Sequence, residues 1–241
     1  MNTEHNAVLT ILGEDIPLGA SKEINFNVAK LYTTTTIDVP VLIERSKKPG
    51  PVILFTAGIH GDEINGVDIV RQLIAHKINK PKCGTIICIP IINVFGFING
   101  LREFPDGKDL NRVFPGSAKG SLASRVAHRL LHEIVPNVDL IIDFHTGGAS
   151  RFNAAQVRIA KNNPKLAELA TIFGAPFVLY ANHIAKSFRN ACSNLGKPIL
   201  LYEGGKSSFI DENISQIGLK GVKRILNHFN MLNPKLTSNP P

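Results

Sequence analysis

A chain of 241 residues with 44% hydrophobic content can bury the core of one ordinary globular domain, so disorder is not its default state. Its 27 basic and 19 acidic residues give a formal net charge of +8 without any run of five Lys or Arg, which argues against a nucleic-acid tail and suits a small anionic substrate. Cys83, Cys88 and Cys192 form no Cys-x-x-Cys pair, which argues against a disulfide scaffold or a thiolate zinc site and points to a reducing cytoplasm.

Met1 to Asn6 carry an acid and no apolar run, so no secretory signal is read there. Strands are predicted over residues 7–12, 23–32 and 34–44, forming an N-terminal β segment within residues 1–50. An uninterrupted apolar strand over 51–57 leads into a helix over 63–78, on which Val67, Val70, Ile74 and Ile78 share a face. The stretch from Ile86 to Ile98 is broken by Pro90, Asn93 and Gly96 and is too short to cross a bilayer core of about 30 Å, which excludes a membrane span there. It is read as a buried strand over 84–92 followed by an exit loop, with Cys88 as a small core residue. After a Gly- and Pro-bearing loop over 100–116, a helix is predicted over 121–135 with Ser121 as its N-cap. Strands over 139–145, 155–159, 176–180 and 198–202 then alternate with helices over 166–173, 187–195 and 208–229. This alternation predicts an α/β fold with a mixed, largely parallel central sheet flanked by helices, a single domain over 1–231. Residues 232–241, with Pro234, Pro240 and Pro241, read as a linker or frayed end.

The chemistry is concentrated where predicted strands stop. Gly58-Ile59-His60-Gly61-Asp62-Glu63 follows one apolar strand, and a His and a Glu three residues apart at a strand-to-helix turn can offer a metal one imidazole and one carboxylate. His145, at the end of Leu140-Ile141-Ile142-Asp143-Phe144-His145, is the third candidate ligand. Two imidazoles, one carboxylate and an open position are the pattern of catalytic zinc, although other divalent metals accept such donors. Asp143 is read as lying on the strand face opposite His145, as an acceptor behind the ligands or a helix cap, and Asp62 as a similar case. Glu203, in Tyr202-Glu203-Gly204-Gly205, is placed to take a proton from water and pass it to a leaving amine; its other use would be to cap the next turn or to pair with an Arg. In the 100–116 loop, Asn111 and Arg112 suit a substrate carboxylate and Arg102 an oxyanion beside the metal, with ordinary loop hydrogen bonding as the alternative.

Four motifs in order, His60-Gly61-Asp62-Glu63, Asp109-Leu110-Asn111-Arg112-Val113-Phe114-Pro115-Gly116, Asp143-Phe144-His145 and Tyr202-Glu203-Gly204-Gly205, resemble the succinylglutamate desuccinylase and aspartoacylase family of zinc carboxypeptidase-like hydrolases. The resemblance runs from about Pro51 to Gly205, with helical continuation to about Phe229. It implies one zinc held by His60, Glu63 and His145, Glu203 as general base, and Arg102 near the scissile carbonyl. It also implies Asn111 and Arg112 on the substrate carboxylate, with Arg189 as a further arginine for the substrate. Members of the family commonly continue into a β-rich domain that helps close the site and can supply a tyrosine. This chain stops at Pro241, and Tyr180 and Tyr202 fall in predicted strands, so a catalytic domain without that partner domain, or a more open cleft, is expected.

The leading expectation is therefore a cytoplasmic, zinc-dependent amidohydrolase acting on a small anionic N-acyl amino acid, without nucleic-acid or membrane partners. The acyl group and any association between copies of the chain are left open. A metallocarboxypeptidase acting on peptide C-termini and a non-catalytic binding domain are the alternatives.

Overall fold

The computed structural model describes residues 8–30 and 33–233. It begins with a small antiparallel hairpin, β1 (Leu9–Ile11) and β2 (Glu14–Ile16), followed by the long hairpin strands β3 (Ser21–Lys30) and β4 (Thr36–Arg45). The apolar run after Pro51 forms β5 (Val52–Ala57), buried at every position, and leads into α1 (Ile64–Ala75) and β6 (Thr85–Ile89). The chain continues through α2 (Val94–Asn99), α3 (Leu122–Arg129), β7 (Leu140–Gly147), β8 (Asn153–Ile159), α4 (Pro164–Phe173), β9 (Phe177–Tyr180), α5 (Phe188–Asn194), β10 (Ile199–Lys206) and α6 (Glu212–His228).

Among the described residues, β3 to β10 form one eight-stranded sheet in the order β3-β4-β6-β5-β7-β10-β8-β9. The central strands β6, β5, β7 and β10 run parallel, while β4 and β8 pair antiparallel to them on either side. Because successive side chains alternate across the sheet, each central strand feeds two cores. Leu54 of β5 and Ile141 of β7 pack with Val126 of α3, Phe188 of α5 and Ile11 and Ile16 of the small hairpin. Phe55 and Phe144 pack on the other face with Ile69 and Leu73 of α1 and Val222 and Ile225 of α6. Cover on both faces is why these strands read as continuous apolar runs.

Five local features differ from the sequence reading. Residues 94–99, read as an exit loop, are helical: Asn93 Oδ1 accepts from the Gly96 amide at 2.8 Å, and Gly100, at φ 64°, ends the turn. A second short strand, β2, follows the first, beyond the strand read over 7–12 and where no strand was predicted. The α3 amide of Ala123 is capped by Asp106 Oδ2 at 3.0 Å, and Ser121 makes no side-chain cap. Beyond Arg129 the helix widens into a π turn over Leu130–Ile134 and then tightens at Val135–Asn137, where Pro136 cannot continue an α-helical ladder. The last helix begins at Glu212, not at 208, because Asp211 caps the amides of Asn213 and Ile214. Residues 1–7, 31–32 and 234–241, which carry parts of the predicted first strands and the Pro-rich tail, lie outside the described residues. No helix among the described residues is long and apolar enough to cross a membrane.

Candidate metal centre and its surroundings

From β5 the chain crosses through α1 to β6 on one side, and from β6 it returns to β7 on the other. This reversal makes the carboxyl ends of β5 and β7 a topological switch point, the usual place for ligands in open α/β sheets. His60 reaches it from the turn after β5, where Gly58 has φ +61°. A Cβ on Gly61 would stand 1.9 Å from the Gly96 backbone carbonyl carbon, so that turn is seated directly on α2. Glu63 is the N-cap residue of α1, His145 lies in β7, and Glu203 of β10 is the register partner of His145.

The structure brings His60, Glu63 and His145 together, each buried, with one donor atom apiece lying within 4.8 Å of the others. Glu63 Oε1 is 2.6 Å from His60 Nδ1, and Oε2 is 2.9 Å from His145 Nδ1 and accepts from the Thr146 amide at 3.0 Å. The outer nitrogens are each held by another carboxylate. His60 Nε2 is 3.1 Å from Asp109 Oδ1, and His145 Nε2 is 2.9 Å from Asp143 Oδ2. Asp143 therefore shares the strand face of His145, a correction to the sequence reading: a period of two returns the chain to the same side. Asp62 takes no part; its Oδ1 is buried without a hydrogen-bond partner among the described residues, and burial beside Glu63 raises its pKa.

This donor set fits a divalent cation. Carboxylates on Nε2 turn both Nδ1 atoms inward in the orientation that metal-bound imidazoles adopt. Glu63, Asp109 and Asp143 against one guanidinium, Arg102, leave two excess negative charges around the imidazoles, the charge that such an ion balances. The same fields act on protonation. Burial opposes ionisation of Glu63, but His145 and His60 hold it far below the ordinary carboxylate range. Burial likewise disfavours charged imidazoles, yet Asp109 and Glu63 raise the pKa of His60, and Asp143 and Glu63 raise that of His145.

Arg102 stands at the edge of this cluster, donating to Glu63 Oε1 at 3.3 Å and through Nη2 to Asp109 Oδ2 at 2.8 Å. Asp109 also accepts from the Asn111 amide at 2.8 Å, so the 100–116 loop is tied to His60. Asn111 Oδ1 accepts from the Phe188 amide at 2.8 Å, which joins the loop to α5 and the neighbouring Arg189. Arg112 is exposed and donates to the Asn111 carbonyl at 2.7 Å. Arg189 is buried; Nη2 donates to the Asn182 carbonyl at 2.9 Å, while Nη1 has no partner among the described residues. Burial and the nearby Arg158 lower its pKa.

Glu203 is paired with an arginine, as one of its sequence readings allowed: Arg158 Nη1 lies 2.9 Å from Oε2, and Asn153 Nδ2 donates to Oε1. Burial raises its pKa, against the pull of Arg158 and His145. Sequence reasoning missed Arg158 and Asn153, which β8 supplies as the antiparallel neighbour of β10, and Asp109, whose motif was noticed without its contact to His60. The period-two spacing of Asp143 and His145 is the signal that identifies the carboxylate behind the latter.

The model of the succinylglutamate desuccinylase/aspartoacylase catalytic domain matches residues 49–229. The N-alpha-acetyl-L-2,4-diaminobutyric acid deacetylase of Halomonas elongata is 30% identical over 207 residues, which cover 82% of this chain and 60% of that protein. The chain thus matches less than two thirds of this curated relative's length. A succinylglutamate desuccinylase/aspartoacylase structure from Rhodobacter sphaeroides is 24% identical with a TM-score of 0.77, covering 89% of this chain and 66% of the other. The product-bound ectoine utilization protein EutE (DoeB) from Ruegeria pomeroyi is 23% identical with a TM-score of 0.80, covering 95% and 73%. Both share the mixed α/β fold with its mostly parallel sheet. With three quarters of its length matched by the family model and its ordered motifs brought together at the strand ends, the chain belongs to the succinylglutamate desuccinylase/aspartoacylase family.

Proposed function

We propose that this chain is a zinc-dependent deacylase that hydrolyses the amide bond of an N-acyl amino acid. The observation that carries the reading is the convergence of His60 Nδ1, His145 Nδ1 and the Glu63 carboxylate, with Glu203 one strand away. His60, Glu63 and His145 would hold the ion, which when bound lowers the pKa of water and polarises a carbonyl. Glu203, on the strand beside His145, takes the proton from the attacking water and delivers it to the departing amine. Arg102 presents its guanidinium where negative charge develops on the carbonyl oxygen. Asn111 and Arg112 bind the amino-acid carboxylate, and Arg189, with an uncommitted buried N–H, takes a further acidic group. The net positive charge of the chain favours the approach of an anionic substrate.

The test is metal content by elemental mass spectrometry together with turnover of a panel of N-acyl amino acids and C-terminal peptides. About one zinc per chain is expected, lost in His145→Ala. Deacylation should fall at least ~100-fold in Glu203→Gln, which retains the metal. Wild-type protein that binds no zinc after supplementation, or a Glu203→Gln variant with undiminished turnover, refutes the assignment, and trimming of peptides without deacylation moves the chain to the carboxypeptidase class.

A further inference from the structure

Every side chain of β5 except one is a hydrocarbon; the exception is Thr56. It is fully buried, and a hydroxyl placed in such surroundings is costly unless a partner takes it up. Its partner is on the next strand. Thr56 and Asp143 face each other in the β5–β7 register, and Thr56 Oγ1 donates to Asp143 Oδ1 at 2.8 Å. The second oxygen of that carboxylate, Oδ2, lies 2.9 Å from His145 Nε2. A continuous line of buried contacts therefore runs from the middle of the sheet through Asp143 to the imidazole whose Nδ1 faces Glu63.

We infer that Thr56 is a positioning residue for the metal centre. This rests on the reading of His60, Glu63 and His145 as ligands. A carboxylate has two oxygens and a free torsion at its end, and a donor on Oδ1 fixes its plane so that Oδ2 faces Nε2. That contact keeps the proton of neutral His145 on Nε2 and leaves the Nδ1 lone pair for the ion. Without the hydroxyl, Oδ1 is a buried acceptor with no donor, and the Asp143 carboxylate is free to turn away from Nε2. The two imidazoles are thus supported by different means. The carboxylate behind His60 is held by Arg102 and by the backbone of the 100–116 loop, and the one behind His145 by a hydroxyl built into the sheet.

The experiment is zinc affinity measured by competition with a chromogenic chelator, on the full chain and in the absence of substrate. Thr56→Val keeps the shape and removes the hydroxyl, and Thr56→Ala removes it without placing a methyl group against Asp143. Both should weaken zinc binding about tenfold or more, while Thr56→Ser restores it. In an Asp143→Asn background, Thr56→Val should cause little further loss, because the contact through which it acts is already changed. Circular dichroism of the metal-free variants checks that they fold. Wild-type affinity in folded Thr56→Val and Thr56→Ala, or a loss that adds in full to that of Asp143→Asn, overturns the inference. Wild-type protein that binds no zinc overturns the ligand assignment itself, a distinct result.

Discussion

Glu203 has both carboxylate oxygens occupied, by Asn153 and by Arg158, although burial alone pushes its pKa up. Arg158 offsets part of that push by favouring the ionised form. The proposed base works only when deprotonated, so Arg158→Met should raise the Glu203 pKa further and move the acid limb of kcat/KM for the proposed deacylation to higher pH, with the largest loss on the acidic side. A pH profile with an unmoved acid limb would show that Arg158 does not govern this carboxylate. The clustering of His60, Glu63 and His145 was readable in the sequence because His60 and Glu63 are three residues apart and His145 repeats their setting at a strand end. Arg158 was not, because its place beside Glu203 depends on which strand becomes the neighbour of β10, and alternation within a strand does not say that.

The strands were readable as apolar runs and the long helices as periodic ones, since each must bury a continuous stripe. The short helix α2 was not, because it has little stripe to bury and exists by virtue of the Asn93 cap and close packing. Its contact with the His60 turn gives a sharp test. In Gly61→Ala the new methyl group meets the α2 backbone, which cannot swing aside as a side-chain end can. The variant should lose roughly 1–3 kcal/mol of stability, read from the denaturant midpoint at unchanged slope, and its zinc affinity should fall with it. Unaltered stability would mean that the turn and α2 are free to separate. Asp106 teaches the same lesson about caps: sequence proximity favoured Ser121, but the carboxylate that reaches the Ala123 amide comes from the preceding loop.

Strand order was the least readable property of the molecule, because parallel neighbours are joined only through long crossovers whose destinations leave no local mark. That order assembles the centre from β5, α1 and β7, so a bound ion should stabilise the native state as a whole. Zinc at about 100 times its dissociation constant should add about 2.7 kcal/mol, a higher unfolding temperature that a chelator reverses and that His145→Ala does not show. An unfolding temperature indifferent to zinc would contradict a centre formed only in the folded chain. The arrangement also bears on biogenesis. His60 and Glu63 leave the ribosome together, but His145 follows more than eighty residues later and Glu203 later still, and the pairings that unite them close long loops, which is slow. Acquisition of the proposed zinc would therefore come at the end of folding, and a bound ion would certify that the central strands have found their final order.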